Sequence, residues 1–268
     1  MEILNKLPAK RFREIDDLLA FISIYDDQRR TESYFKMLEA NAAKIEGAVC
    51  VEAGCGLGVF SSKMAELGAK KVYAVEQNPI LARLAKQRLK AFKNVEVVHA
   101  PIQTFLPSEP VDLLLHEFYG QLLYDEDLYA LKHLRFSPRE IMPDGGALLC
   151  GAAAFEDYAD EHVTPDAIAA LKNALVAGLF ESDEDDLQTP VLKWRAGEAF
   201  PEKQQINIEK VAGNLVVFGV QVTHGGEQIC LADQCDNWAT VWTPRCGNAF
   251  EIGFQNQHVG EEVTFRWL

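Results

Sequence analysis

Two glutamates nine positions apart, Glu117 and Glu126, stand in the segment HEFYGQLLYDEDL, where Tyr119, Gly120 and Gln121 can turn the chain between them. Carboxylates brought together on an apolar-lined loop repel one another unless a cation lies between them. A guanidinium suits that place, because it is planar, delocalised and pairs bidentately with carboxylates. A plainer reading makes Glu117 a cap and Glu126 a solvated acid, since LYDEDLY is acidic where a helix N-terminus is expected. His116 ends the apolar strand just before Glu117 and reads either as a base beside it or as a hydrogen-bonded pocket wall.

The elements that must position these carboxylates begin at Ala48. VCV reads as a buried parallel strand, and Gly54, Gly56 and Gly58 form a turn that lets backbone approach a ligand without Cβ clashes. A helix from Ser61 to Leu67 and a second strand, KVYAVE, follow. That strand stops on Glu76, eighteen residues past Gly58, where a carboxylate can accept both hydroxyls of a ribose, with Gln77 beside the adenine. The order is a cradle for an adenosine cofactor. The nicotinamide fingerprint G-x-G-x-x-G uses the same parts, but here Val59 stands where its third glycine belongs. Glu52, before the turn, suits a cationic aminoacyl sulfonium better than a pyrophosphate, which makes S-adenosylmethionine (SAM) the leading cofactor. After the third strand, VEVVHA, Ile102 and Gln103 are placed to meet the base through backbone and amide, and His99 is not needed there.

The alternation continues through PILARLAKQRLKAF, VEVVHA, VDLLLHE and a helix around Leu128 to Leu134, and it specifies a parallel sheet covered on both faces. Ligands of such sheets bind outside the carboxyl ends of the strands, so Glu117 is delivered to the cofactor crevice. The expected fold is therefore α/β, a Rossmann-like sheet with attachments. A helical lead-in occupies residues 1–47, with Leu18, Leu19, Phe21, Ile22 and Ile24 as a packed face, and the cofactor domain spans 48–150. Residues 151–268 form a smaller β-rich substrate domain, a partial barrel, with a helical and acidic insertion near 165–190.

Composition narrows the partners. The formal charge of −14 is unfriendly to nucleic acid and favours a cationic substrate. Six cysteines lack any C-x-x-C pair, so neither a metal site nor a disulfide framework is implied, and Cys230 and Cys235 read as core thiols. The first residues hold no apolar core of signal-peptide length and no stretch approaches the ~20 apolar residues of a membrane span, so a cytoplasmic protein is expected. The acidic run ESDEDD from Glu181 reads as a solvated loop.

Three ordered motifs together resemble the protein arginine methyltransferases, over about residues 20 to 155. HEFYGQLLYDEDL looks like that family's double-glutamate hairpin, VEAGCGLGVFSSKMAELGAKKVYAVEQN like its nucleotide motif, and IYDDQRRTESY like its D-x-x-R-T signature. The resemblance implies a class I SAM-dependent methyltransferase that leaves S-adenosylhomocysteine (SAH), needs no metal and forms a homodimer. It implies that Arg30 pairs with the methionine carboxylate and that Glu117 and Glu126 hold a guanidino group of protein, peptide or free arginine. His116, Tyr119, Asn237 and Trp238 would then surround the substrate.

Two departures from the family pattern are visible. The window of its Y-F-x-x-Y motif holds Arg11, Phe12, Arg13, Glu14 and Ile15, and Asn237 replaces the histidine before Trp238. The segment Ala167 to Phe180 reads as a shortened dimerisation arm. These departures leave open methylation of another small amidine, or a non-catalytic subunit that binds SAM or SAH.

Overall fold

The computed structural model describes residues 7–159, 161–178, 187–199, 202–210, 212–235, 238–254 and 263–268. The acidic run from Glu181 and Asn237 lie outside them. Three helices lead in: α1 (Ala9–Asp26), α2 (Gln28–Ala40) and α3 (Ala42–Ile45). Asp27 separates the first two and caps α2, its carboxylate accepting the Arg30 backbone N–H at 2.9 Å.

The parallel layer comprises β1 (Val49–Ala53), α4 (Val59–Glu66), β2 (Lys71–Glu76), α5 (Pro79–Arg88), β3 (Val95–His99), β4 (Leu113–His116) and β5 (Glu140–Met142). Its strand order, β3-β2-β1-β4-β5, puts β1 at the centre, which explains why all five of its residues are buried. The order also makes β1 and β4 neighbours, with Ala53 paired to His116, so the glycine turn and the Glu117 loop leave the sheet side by side. The turn from β2 into α5 is capped by Asn78, whose side chain accepts from Ile80 and Leu81, with Pro79 at the first helical position. Between Glu126 and β5 the chain forms a 3₁₀ helix, Asp127–His133, where a helix was expected around Leu128 to Leu134.

The strand β6 (Gly145–Ala153) follows the parallel layer after two residues and joins a different sheet. The elements after it are α6 (Phe155–Tyr158), α7 (Pro165–Ala169), β7 (Val176–Ala177), β8 (Thr189–Arg195), β9 (Lys203–Asn207), β10 (Leu215–His224), β11 (Glu227–Leu231), β12 (Val241–Pro244), β13 (Ala249–Phe254) and β14 (Val263–Trp267). One antiparallel sheet runs β7-β12-β10-β6-β8 with β11 beside β10, and a second runs β14-β13-β9. The helix expected over Ala167 to Phe180 is one turn, α7, followed by the short strand β7, within the described part of that segment.

A continuous apolar core joins the two layers, running from Val51 and Leu114 through Tyr119 and Leu148 to Trp194 and Phe218. Glycines at 145 and 146 permit the junction. A Cβ on Gly146 would lie 2.9 Å from the Tyr119 ring, so the double-glutamate loop packs onto β6 because that strand starts without side chains. Helix α1 is different in kind: Leu19 and Ile22, expected on a packed face, are 55% and 52% exposed, while Phe21 and Ile24 turn inward.

Candidate active site

The carboxyl ends of β1, β2 and β4 open into a cleft of about 970 Å³, open space at its mouth included. Its walls include Arg30 from α2, Glu52 and Gly54 from the first turn, Glu76 and Gln77 after β2, and Ile102 and Gln103 after β3. Glu117 and Glu126 line the same cleft.

Glu76 is buried, and each of its oxygens has a backbone partner: Oε2 accepts from Gly56 N at 2.8 Å and Oε1 from Asn78 N at 2.7 Å. Burial nevertheless moves its pKa up, against these hydrogen bonds. The glycine turn is used differently from the expectation that its N–H groups face a ligand. Cys55 N donates to Val75 O, Gly56 N to Glu76, Leu57 N to the Tyr25 hydroxyl at 3.0 Å and Gly58 N to Cys55 O. Four consecutive amides, Cys55 to Gly58, are taken within the protein, which leaves none of the four for a pyrophosphate. This removes the main attraction of the dinucleotide alternative.

The space that the glycines leave is filled by protein. A Cβ on Gly54 would fall 2.7 Å from the Phe118 ring, and one on Gly56 2.6 Å from the Tyr25 hydroxyl. Both have positive φ, 67° and 51°. Tyr25 also donates to Cys55 O at 3.2 Å, so it bolts α1 to the turn. We expect Tyr25→Phe to cost about 1 kcal/mol by leaving Leu57 N–H without its acceptor. Gly56→Ala should cost about 1–2 kcal/mol from its left-handed backbone alone. Urea denaturation of the two variants checks both values, and an unchanged midpoint for Gly56→Ala would contradict the packing described.

Glu52 faces away from solvent and accepts a short hydrogen bond from the Ser61 hydroxyl in α4. Burial pushes its pKa up to about 8, despite that bond. The unfolded chain ionises Glu52 near its ordinary value while the folded chain keeps it protonated, so its contribution to stability falls as pH rises from about 4.5 to about 8. Glu52→Gln, which mimics the protonated group, should become progressively more stable than the parent across that window and level off above it. Denaturation midpoints at pH 5, 6, 7 and 8 test the trend; a constant difference would refute it.

Arg30 is 2% exposed. Its Nη1 pairs with Glu117 Oε2 in a short contact and its Nη2 donates to Ile24 O at 3.0 Å. Burial opposes the Arg30 charge, but Glu117, Tyr34, Tyr25 and Asp27 more than restore it, and its pKa moves up. Glu117 is likewise pushed up by burial and drawn back by Arg30. Arg30, expected to face a cofactor carboxylate, instead holds Glu117, one of the two carboxylates expected to bind a substrate. Glu126 is exposed, stands at the start of the 3₁₀ helix and lines the same cleft.

His116 is part of the cleft wall, and Tyr119 and Trp238 lie outside the lining. The His116 ring packs on Phe118, Tyr119 and, edge-on, Trp194, and its Nε2 meets Pro143 O at 3.0 Å. A carbonyl only accepts, so Nε2 carries the proton. Burial holds the pKa down to about 3, against that hydrogen bond, which leaves a neutral wall rather than a base. Tyr119 is buried, its hydroxyl donating to Gly145 O at 3.0 Å, and Trp238 donates its indole N–H to Tyr119 O at 3.1 Å. Neither lines the cleft, and both brace the loop that carries Glu117.

Phe21, Tyr25, Phe118 and Asp127 also line the cleft, and none of them was expected there. Phe118 and Asp127 adjoin Glu117 and Glu126, so their neighbourhood was visible. The spacing of Phe21, Ile24 and Tyr25, one face of a helix just before the D-x-x-R-T signature, was a usable signal for the other two. Burial raises the pKa of Asp127. No group of three or more metal-ligating side chains occurs among the described residues, and no helix among them is long and apolar enough to cross a membrane.

Comparison with known proteins agrees with this geometry. Residues 50–135 match the family model described as a methyltransferase domain. The chain is 36% identical over 105 residues to a probable protein arginine N-methyltransferase 6 of Arabidopsis thaliana, covering 38% of this chain and 24% of that protein. It is 31% identical over 144 residues to protein arginine N-methyltransferase 6 of Danio rerio, covering 52% of this chain and 40% of the relative. These matches span less than half of each relative's length.

Solved structures extend the likeness. A Trypanosoma brucei protein arginine methyltransferase 1 enzyme–prozyme complex with SAH superposes with a TM-score of 0.69 at 16% identity, over 92% of this chain and 93% of that one. Arabidopsis thaliana protein arginine methyltransferase 10 superposes at 0.61 and 17%, over 87% and 86%. At those identities they establish the fold. With its parallel sheet and antiparallel second layer, the chain has the fold of these solved arginine methyltransferases, and residues 50–135 are similar to a methyltransferase domain.

Proposed function

We propose that the chain is a SAM-dependent N-methyltransferase that acts on a guanidino nitrogen held by Glu117 and Glu126. The observation that carries the reading is a single cleft in which both glutamates meet Arg30, Glu52, Gly54 and Glu76. The donor set suits an aminoacyl sulfonium nucleoside. Arg30 offers a cation to its carboxylate, Glu52 an acceptor to its amino end, Glu76 lone pairs to the ribose hydroxyls, and Gln77, Ile102 and Gln103 a wall for the adenine. Bound SAM supplies an electrophilic methyl group on sulfur.

The chain's own residues then have two tasks. Glu117 and Glu126 draw the positive charge of the guanidinium toward the nitrogens they bind, and leave the electron density of the third nitrogen aimed into the cleft. Phe21, Ile24 and Phe118 exclude water from the approach. Methylation makes loss of the N–H proton easier, so proton removal can follow the transfer. The short bond to Arg30 keeps Glu117 oriented even without substrate.

A second reading is a SAH-binding partner subunit without activity of its own, favoured by Asn237 in the histidine position. Calorimetry with SAH, followed by mass spectrometry of arginine, arginine-rich peptides and lysate after incubation with SAM, separates the two. A methylated guanidino product supports the enzyme. Binding without any product favours the subunit, and a methylated product lacking a guanidino group would point to another small-molecule acceptor. A homodimer, carried over from the family, should appear in sedimentation at micromolar concentration.

A further inference from the structure

Cys230 and Cys235 meet at Sγ–Sγ 2.8 Å, both nearly fully buried, and both are free thiols. That separation is tighter than an ordinary thiol–thiol contact. The backbone makes it possible: Cys230 lies on β11, the chain reverses through Asp233 in a left-handed conformation (φ 62°), and Cys235 returns to bridge Ala232. The reversal is closed by Gln234 N to Leu231 O at 3.1 Å and Trp238 N to Cys235 O at 3.0 Å.

The location connects this pair to the proposed site. β11 packs against α2, the helix of Arg30 and Tyr34. Cys230 contributes to the field at Tyr34, and Asp27 and Arg30 to that at Cys235. Past the pair, Trp238 props the Tyr119 carbonyl in the loop that carries Glu117. The pair is therefore linked to α2, which carries Arg30, and through Trp238 to the loop that carries Glu117.

We propose that Cys230 and Cys235 form a reversible dithiol–disulfide site that stiffens the backing of the cleft when oxidised. The oxidant is a small-molecule disulfide, R–S–S–R. One cysteine thiolate attacks it and releases R–SH; the second cysteine then displaces the other R–SH from the mixed disulfide and closes the Cys230–Cys235 bond. Two electrons pass from the cysteines to the two R–SH products, which also take up the two protons. The Cys230 contact and then burial raise the Cys235 pKa, so exchange proceeds slowly, through opening of the 231–235 turn. Closing so short a loop corresponds to a shift of roughly fortyfold in its opening equilibrium.

The test uses the full chain, equilibrated in a series of oxidised-to-reduced glutathione ratios by two routes: oxidation of the native protein, and refolding of the reduced chain in the same buffers. After alkylation, trypsin leaves both cysteines in the peptide from Val211 to Arg245, without Cys246. The expected result is that peptide lighter by two hydrogens, unalkylated and free of glutathione, and reverting with dithiothreitol. Cys246, which is exposed, takes up glutathione and shows that the reagent is active. Amide exchange from Ala232 to Cys235 should slow in the oxidised protein. Two alkylated thiols, or a persistent glutathione adduct at either position, by both routes would overturn the proposal, and so would a disulfide that leaves exchange in the loop unchanged. None of these readouts depends on methyl transfer.

Discussion

Glu117→Gln is expected to lower the rate of methyl transfer at saturating SAM by about 10²–10³-fold, the loss typical when one preorganised electrostatic contact to a reacting group is removed. The substitution keeps the shape of the side chain and removes its charge. The guanidinium of the substrate then has only Glu126 to polarise it, and Arg30 loses its partner in the short ion pair. Arg30 is thereby released toward the cofactor, so SAH affinity should stay the same or rise. Single-turnover kinetics with an arginine-rich peptide, alongside SAH calorimetry, read the two quantities separately. A rate within tenfold of the parent would sink the clamp mechanism, and a collapse of SAH binding would place Glu117 on the cofactor side.

Arg30→Ala should do the reverse, with an added cost in stability. It removes a charge-assisted contact to the proposed cofactor carboxylate, worth about 1.5–3 kcal/mol, or about 10–150-fold in SAH affinity. It also leaves Glu117 without compensation. Removing one partner of a buried pair costs about 3–5 kcal/mol, and the low end applies here because a fifth of the Glu117 side chain is exposed. Arg30→Lys keeps the charge without the fork that serves Glu117 and Ile24 O together, and should recover most of the stability but little of the affinity. Denaturation and calorimetry on both variants decide the matter; SAH affinity that survives Arg30→Ala would take Arg30 out of the cofactor site.

Much of this site was legible because strand ends and short motifs place residues without knowledge of the rest of the chain. Glu76 at the end of β2 and Glu117 just past β4 reach the cleft for that reason. The contact between Arg30 and Glu117 was not visible, since the two are 87 positions apart and only the packing of α2 over the sheet edge joins them. His116 was readable as a hydrogen-bonded pocket wall, and it lines the cleft beside Glu117 with its ring nitrogen on Pro143 O.

The glycines show a different limit. Their spacing announces that something approaches the backbone, but not that the approaching groups at Gly54 and Gly56 are Phe118 and Tyr25 rather than a ligand. β6 shows a third limit: GGALLC is apolar enough for a parallel or an antiparallel strand, and it joins the antiparallel sheet because β10 and β8 flank it.

The attachment of α1 has a thermodynamic consequence. None of its described side chains is fully buried, and it is tied to the cleft through Tyr25, the inward faces of Phe21 and Ile24, and the carbonyl that Arg30 holds. A segment with so little buried surface opens at a fraction of the free energy of global unfolding. Any ligand that touches Tyr25 or Phe21 binds only the docked population, so its apparent affinity scales with that fraction. Sequence changes on the outward face of α1, at Leu19 or Ile22, can therefore tune ligand affinity without altering a single atom of the cleft.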